Sequence, residues 1–117
     1  MTMKTSSRQV DGITVVDLGG QITLDEGSIA LRDTVKELLA EGHNRLLLNF
    51  GNVTHVDSSG IGELVRAFTS VHSAGGDLKL LNLTQKVQDL LQITKLHIVF
   101  DVWDDETSAI HSFSNVA

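Results

Sequence analysis

Cysteine is absent from this 117-residue chain, and its absence removes several kinds of chemistry. Disulfide bonds, zinc–thiolate sites and thiol nucleophiles are excluded. The lack of cysteine agrees with a reducing compartment. Long apolar stretches are missing too, because no run approaches the ~20 residues of a membrane span and Met1–Ser7 lacks the apolar centre of a signal peptide. We therefore expect a cytoplasmic protein.

Positive charge is scarce as well. Nine Lys and Arg residues face fifteen Asp and Glu residues, and the formal charge is −6. Nucleic acids and anionic membranes are bound through cationic surfaces. We expect no nucleic-acid partner and no membrane partner, and a basic protein surface would suit the chain better. We expect a monomer or a weak dimer.

The sequence lacks the short motifs of common catalytic sites. It contains no G-x-x-x-x-G-K-[ST], G-x-G-x-x-G, H-E-x-x-H or G-x-S-x-G. Its five histidines are scattered without metal-ligand spacing: His43, His55, His72, His97 and His111. We expect no catalytic residues, no metal site and no cofactor, so the protein is predicted not to be an enzyme.

The length and composition favour one folded domain spanning residues 1–117. Hydrophobic residues make up 41 % and charged residues 21 % of the chain, as in ordinary globular proteins. Strands from Met3 to Val10 and from Ile13 to Leu18 flank Asp11-Gly12, a dipeptide typical of tight hairpin turns. An opening hairpin is predicted.

Helices and strands alternate after the hairpin. We predict a helix from Glu26 to Glu41, a strand from Leu46 to Phe50, a helix from Ser58 to Ser73, a strand from Leu78 to Leu83, a short helix beginning at Thr84, a strand from Ile98 to Val102, and a terminal helix capped by Asp104 or Asp105. The order ββαβαβαβα predicts an α/β fold. It implies a mainly parallel sheet of four to five strands with an antiparallel edge hairpin and about four helices.

The segment from Val53 to Val65 joins a strand to a helix and concentrates small polar residues at the join. Asp57 or Ser58 can cap the helix, and Gly60 and Gly62 can let it pack closely on the sheet. One capping residue is enough, yet Asp57, Ser58 and Ser59 are all suited to it. Helix N-termini favour anionic groups, so the remaining hydroxyls are available for another role.

A helical projection divides the surface of this helix into two faces. The apolar face carries Ile61, Leu64, Val65 and Phe68, and the opposite face carries Ser59, Glu63, Arg66 and Ser70. We expect the polar face to be solvated or to dock a partner. Glu63 and Arg66 are spaced to form an i, i+3 ion pair.

Several features together resemble the STAS domain of bacterial anti-sigma factor antagonists. They are the segment Val56 to Gly62, the entry Val15 to Gly20, the Gly75-Gly76 break and Leu78-Lys79-Leu80. The likeness spans nearly the whole chain. It implies that Ser58, or as second choice Ser59, is phosphorylated by a serine kinase that is also the anti-sigma factor. The unmodified protein would bind this kinase, and a metal-dependent serine phosphatase would reset the modified form.

The resemblance also implies a partner-binding surface. Its predicted members are Asp25, Asp57, Ser58, Ser59, Gly60, Ile61, Gly62, Glu63 and Arg66. Many members of the family have the pattern G-x-L-D after the second strand, where this chain has Gly20-Gln21-Ile22-Thr23. The acidic residue of that pattern is therefore replaced by Thr23, and Asp25 lies two positions later.

Three alternative functions follow from the same residues. The missing acidic residue motivates a STAS-like scaffold or interaction subunit of a signalling or transport complex that never cycles phosphate. A receiver domain phosphorylated on Asp57 is disfavoured, because only Asp17 stands where an acidic pair would hold magnesium. A Ser–His–Asp triad of His55, Asp57 and Ser58 is disfavoured because residues so close on a strand end cannot place the base between its partners.

Overall fold

The computed structural model describes residues 3–23 and 26–114, which form a five-stranded sheet with helices on both faces. The strands are β1 (Lys4–Val10), β2 (Ile13–Ile22), β3 (Arg45–Val56), β4 (Asp77–Leu81) and β5 (Val102–Trp103). The helices are α1 (Glu26–Ala40), α2 (Ser58–Ser73), α3 (Gln85–Ile93) and α4 (Glu106–Ser114). The strand order is β1-β2-β3-β4-β5. Only the β1–β2 pair is antiparallel among the described strands, so the predicted fold class is confirmed.

The β1–β2 hairpin turns at the predicted dipeptide. Asp11 and Gly12 have φ angles of 51° and 82°, which is the left-handed geometry of a two-residue hairpin turn. Glycine adopts it without a steric penalty. The antiparallel edge of the sheet is therefore built by local turn chemistry.

The central strand β3 is apolar on both faces because helices cover both sides of the sheet. Leu46 and Leu48 pack in the larger core, on the side of α1, α2 and α3. Leu47 packs in the smaller core, against Ala109 and Phe113 of α4. The uninterrupted apolar run is the expected pattern of a strand covered on both faces.

The last strand is shorter than predicted. In place of a strand from Ile98 to Val102 the chain forms a 3₁₀ turn at Leu96–Ile98, and β5 contains only Val102 and Trp103. Lys95, in the left-handed region at φ 61°, precedes the turn, and Ile98 is 77 % exposed. The run therefore does not form a buried strand, although Phe100 within it packs in the larger core. Among the helices of the described residues none combines the length and the apolarity needed to cross a membrane.

Candidate functional site

The candidate site lies where β2 and β3 end side by side. The two parallel strands remain paired to their last residues, with Ile22 opposite Val56. One residue later the Asp57 N–H donates to the Ile22 carbonyl oxygen at 3.3 Å. The start of α2 is therefore joined to the end of β2. Both strands extend past their predicted ends at Leu18 and Phe50.

Two glycines allow α1 and α2 to begin against the end of β2. A Cβ on Gly60 would lie 2.2 Å from the Ile22 carbonyl oxygen, and a Cβ on Gly27 would lie 2.3 Å from the Gln21 carbonyl oxygen. Real Cβ atoms do not approach so closely, so α1 and α2 start close to β2 only because these positions lack side chains. Gly62 differs, because a Cβ there would meet open space. The predicted packing role therefore holds for Gly60 and not for Gly62.

Asp57 is the N-cap of α2. Its backbone is extended, with φ −102° and ψ −174°, and its Oδ1 accepts a hydrogen bond from the Gly60 N–H at 3.0 Å. An N-cap side chain satisfies one of the unpaired N–H groups at a helix start. The negative charge is also favourable beside the positive end of the helix dipole. Of the two predicted caps, the fold uses the aspartate.

Ser58 is exposed and Ser59 is half-buried. The helical projection placed Ser59 on the outward face, yet Ser58 is the more exposed of the two serines. Helical Cβ atoms point towards the N-terminus of their helix, so a residue at the first helical position projects past the helix end. Within residues 3–23 and 26–114 no hydrogen bond engages the Ser58 hydroxyl. The part of the fold that the structure describes therefore makes no use of this hydroxyl.

Glu63 does not lie on an open surface, and its predicted outward position is wrong. Its side chain is 3 % exposed, and its Oε1 accepts from Arg32 Nε at 2.9 Å and Nη2 at 2.8 Å. Arg32 belongs to α1, which packs on this flank of α2. The ion pair is therefore between helices and not the i, i+3 pair with Arg66. A projection of α2 alone cannot reveal it, because the covering helix lies elsewhere in the sequence.

The other predicted partner-binding residues divide by exposure. Gly62 and Arg66 are exposed, whereas Gly60 and Ile61 are buried. Asp25 lies outside the described residues. The buried members can position the surface but cannot form much of it. The accessible surface near the join is formed by Ser58, Gly62 and Arg66, and Asp57 and Ser59 are partly exposed beside them.

A groove of about 490 Å³ lies between the end of β3 and α3 and reaches Asp57. Leu90 and Ile93 of α3 line it, and Ile93 is 78 % exposed. Sequence reasoning did not find this groove. The available signal is that the apolar residues of α3 continue to Ile93, beyond the buried Val87 and Leu91.

Known proteins resemble this chain in both sequence and fold. The sequence profile of the STAS domain matches residues 4–109. The anti-sigma-B factor antagonist of Bacillus subtilis is 29 % identical over 102 residues, which are 87 % of this chain and 92 % of that protein.

Solved structures share the fold at lower identity. An anti-sigma factor antagonist from Mycobacterium paratuberculosis has a TM-score of 0.85 and 18 % identity, covering 97 % of this chain and 96 % of that one. The Bacillus cell fate determinant SpoIIAA in its phosphorylated form has a TM-score of 0.73 and 20 % identity, covering 93 % and 98 %. The match spans most of the chain, which therefore belongs to the STAS domain family.

Proposed function

We propose that this protein is an anti-sigma factor antagonist whose partner binding is controlled by phosphorylation of Ser58. In this proposal it catalyses no reaction itself. The unmodified form binds a serine kinase that is also the anti-sigma factor, the phosphorylated form is released, and a serine phosphatase restores the first form. Relatives named as anti-sigma factor antagonists support the general role, and a phosphorylated member of this fold supports the modification.

The exposure of Ser58 is the observation that carries the proposal. The hydroxyl stands at the first position of α2, beside the capping carboxylate of Asp57, and it is accessible to another protein. In the transfer, Ser58 Oγ bonds to the γ-phosphorus of ATP while the bond from that phosphorus to the β–γ bridging oxygen breaks. ADP leaves, and a base on the kinase takes the hydroxyl proton.

The modified residue would change the surface and leave the fold intact. A phosphate adds about −1.5 to −2 charges, beside a carboxylate and on a chain that already carries −6. An interface that accepts a neutral hydroxyl would then meet repulsion and a large desolvation penalty. The N-terminus of α2 can accommodate the phosphate locally. Binding falls while folding persists.

A phosphorylation assay tests the site of modification. The protein is incubated with each candidate serine kinase and MgATP, and the modified residue is mapped by mass spectrometry. We expect phosphate on Ser58 in the parent and in Ser59→Ala, and none in Ser58→Ala. Phosphate on Ser59 alone would show that the wrong serine was chosen, and no phosphate with any kinase would count against the switch.

Thr23 favours a second candidate function, a scaffold that is never phosphorylated. The Asp57 N–H donates a hydrogen bond to the Ile22 carbonyl oxygen. Thr23 follows Ile22 and Ser58 follows Asp57, so both residues come directly after this contact. The usual acidic residue of the family would stand there. The backbone carbonyl of Thr23 accepts from the Ser28 N–H at 3.0 Å and hydroxyl at 2.8 Å, whichever side chain stands at this position. Stable co-purification with a non-kinase partner, unchanged by Ser58→Asp, would favour the scaffold.

A further inference from the structure

The groove between α1 and α2 concentrates positive charge on an acidic protein. It has a volume of about 400 Å³, and Arg32, Lys36 and Arg66 line it. These are three of only nine basic residues in a chain of net charge −6. The local sign of charge is therefore opposite to that of the whole molecule.

Among the described residues, one acidic side chain lines this groove, and it does not cancel the positive charge. Glu63 is buried and engaged by Arg32, so that pair is close to neutral. Lys36 and Arg66 are exposed, and no ion pair to either is found within the described part of the chain. Lys36 and Arg66 therefore remain as two uncompensated cations. The Arg32 side chain is paired with Glu63 but is still 46 % exposed.

The charges of α1 are divided between two flanks. Lys36 points to the groove with α2, whereas Glu37 and Glu41 line the opposite flank, against β1. Glu37 and Glu41 therefore lie away from the groove, and Asp33, which is exposed on the same helix, does not line it. The lining of the groove therefore carries three basic side chains and one acidic side chain, Glu63, and is locally positive.

The floor of the groove is apolar. Val35 of α1 and Val65 and Ala67 of α2 line it beneath the cations. An apolar floor with a charged rim is the usual pattern of a groove that receives one face of an amphipathic helix. Small anions would use the charges but not the floor, so the combination fits a peptide segment better than a free phosphate.

We propose that this α1–α2 groove is a docking site for an acidic amphipathic helix of a protein partner. Carboxylates on the docked helix pair with Lys36 and Arg66, and its apolar residues contact the half-buried Val65. Ser58 does not line this groove, although Arg66 belongs to both surfaces, so docking here persists when Ser58 carries a phosphate. It goes beyond the switch proposed above and supplies a tethering contact that phosphorylation does not control.

The test uses a synthetic helical peptide as the probe. A blocked peptide of about 18 residues, long enough for measurable helicity, carries leucines at i, i+3 and i+4 spacing with glutamates beside them. A matched peptide has glutamine at every glutamate. Titration is followed by amide chemical shifts of the protein at about 50 mM and 300 mM salt. We expect shifts in α1 and α2, affinity about tenfold lower for the glutamine peptide, and weaker binding at high salt.

Charge-reversal variants place the binding site. Lys36→Glu with Arg66→Glu should lower affinity for the acidic peptide by about tenfold or more. The control pair Lys4→Glu with Arg45→Glu changes the net charge equally at exposed positions elsewhere and should leave the affinity within about twofold. The variant Lys36→Gln with Arg66→Gln removes both charges without reversing them, so it is less prone to misfold and should also bind the acidic peptide more weakly than the parent. Ser58→Asp should leave peptide binding unchanged, so failure here and failure of the phosphorylation switch are distinguishable.

Three results would overturn the proposal. The first is the absence of shifts at millimolar peptide. The second is equal affinity for the glutamate and glutamine peptides. The third is an equal loss of affinity in the groove pair and the control pair, which would indicate a general charge effect.

Discussion

The carbonyl oxygen of Ile22 occupies the space that a side chain on Gly60 would need, since a Cβ there would lie 2.2 Å from it. The same carbonyl accepts the Asp57 N–H at 3.3 Å. One backbone group thus fixes both the cap and the third residue of α2. The position of the exposed Ser58 between them follows from this contact.

Gly60→Ala should destabilise the fold, and Gly62→Ala should not. The first change forces backbone atoms apart, which typically costs about 1–3 kcal/mol. The second places a methyl group in open space on a helix, where alanine is favoured over glycine by about 0.5–1 kcal/mol. Urea unfolding measures both free energies. Equal effects of the two substitutions would contradict the close approach of α2 to β2.

Removing Arg32 should be worse than neutralising Glu63. Arg32→Ala leaves a buried carboxylate without its partner and is expected to cost about 1–3 kcal/mol. Glu63→Gln keeps the shape and removes the charge, so the loss should be smaller. In the double variant, Glu63→Gln should recover part of the loss caused by Arg32→Ala. Additive losses in urea unfolding would mean that the pair does not couple α1 to α2.

Arg8 should make stability depend on pH below about 4. It donates to Asp17 at 2.7 Å and to Glu106 at 2.9 Å, and these hydrogen bonds hold the pKa of both carboxyls below their ordinary values. A carboxyl with a lowered pKa in the folded state stabilises the protein above its ordinary pKa, near 4. That contribution is lost as pH falls through the lowered value.

The variant Arg8→Met isolates this contribution. Because the groups are partly exposed, we expect a loss of about 0.5–1 kcal/mol at pH 7 that shrinks as the pH falls below about 4. Lys4→Met on the same strand is the control, since no ion pair of Lys4 occurs among residues 3–23 and 26–114. A difference between Arg8→Met and the parent that is constant with pH would exclude the ion pairs as its cause.

The sequence predicted α2 to the residue and β5 poorly, for physical reasons. The bounds of α2 are marked locally, by the cap at Asp57 and the Gly75-Gly76 break, and its apolar spacing is regular. The apolar residues from Ile98 to Val102 are not bounded by such local signals and do not indicate which strand they would pair with. Only Leu80 and Leu81 of β4 pair with β5, so most of the run has no strand to join.

The surface of the site was less predictable than its location. The residues at the join identify a capped helix start, but the burial of Glu63 depends on Arg32, 31 residues away. The difference in exposure between Ser58 and Ser59 depends on how the first turn leaves the sheet. Both facts are tertiary, and the periodicity of one helix does not contain them.

The affinity of the kinase for the two phosphorylation states of Ser58 shows whether phosphorylation controls partner binding. Isothermal titration with a non-hydrolysable ATP analogue would compare the parent, the protein phosphorylated on Ser58, Ser58→Asp and the neighbouring control Ser59→Asp. We predict tight binding by the parent, a loss of about tenfold or more with phosphate or aspartate at position 58, and a smaller loss for Ser59→Asp. Equal affinity of the parent and the form phosphorylated on Ser58 would contradict the account.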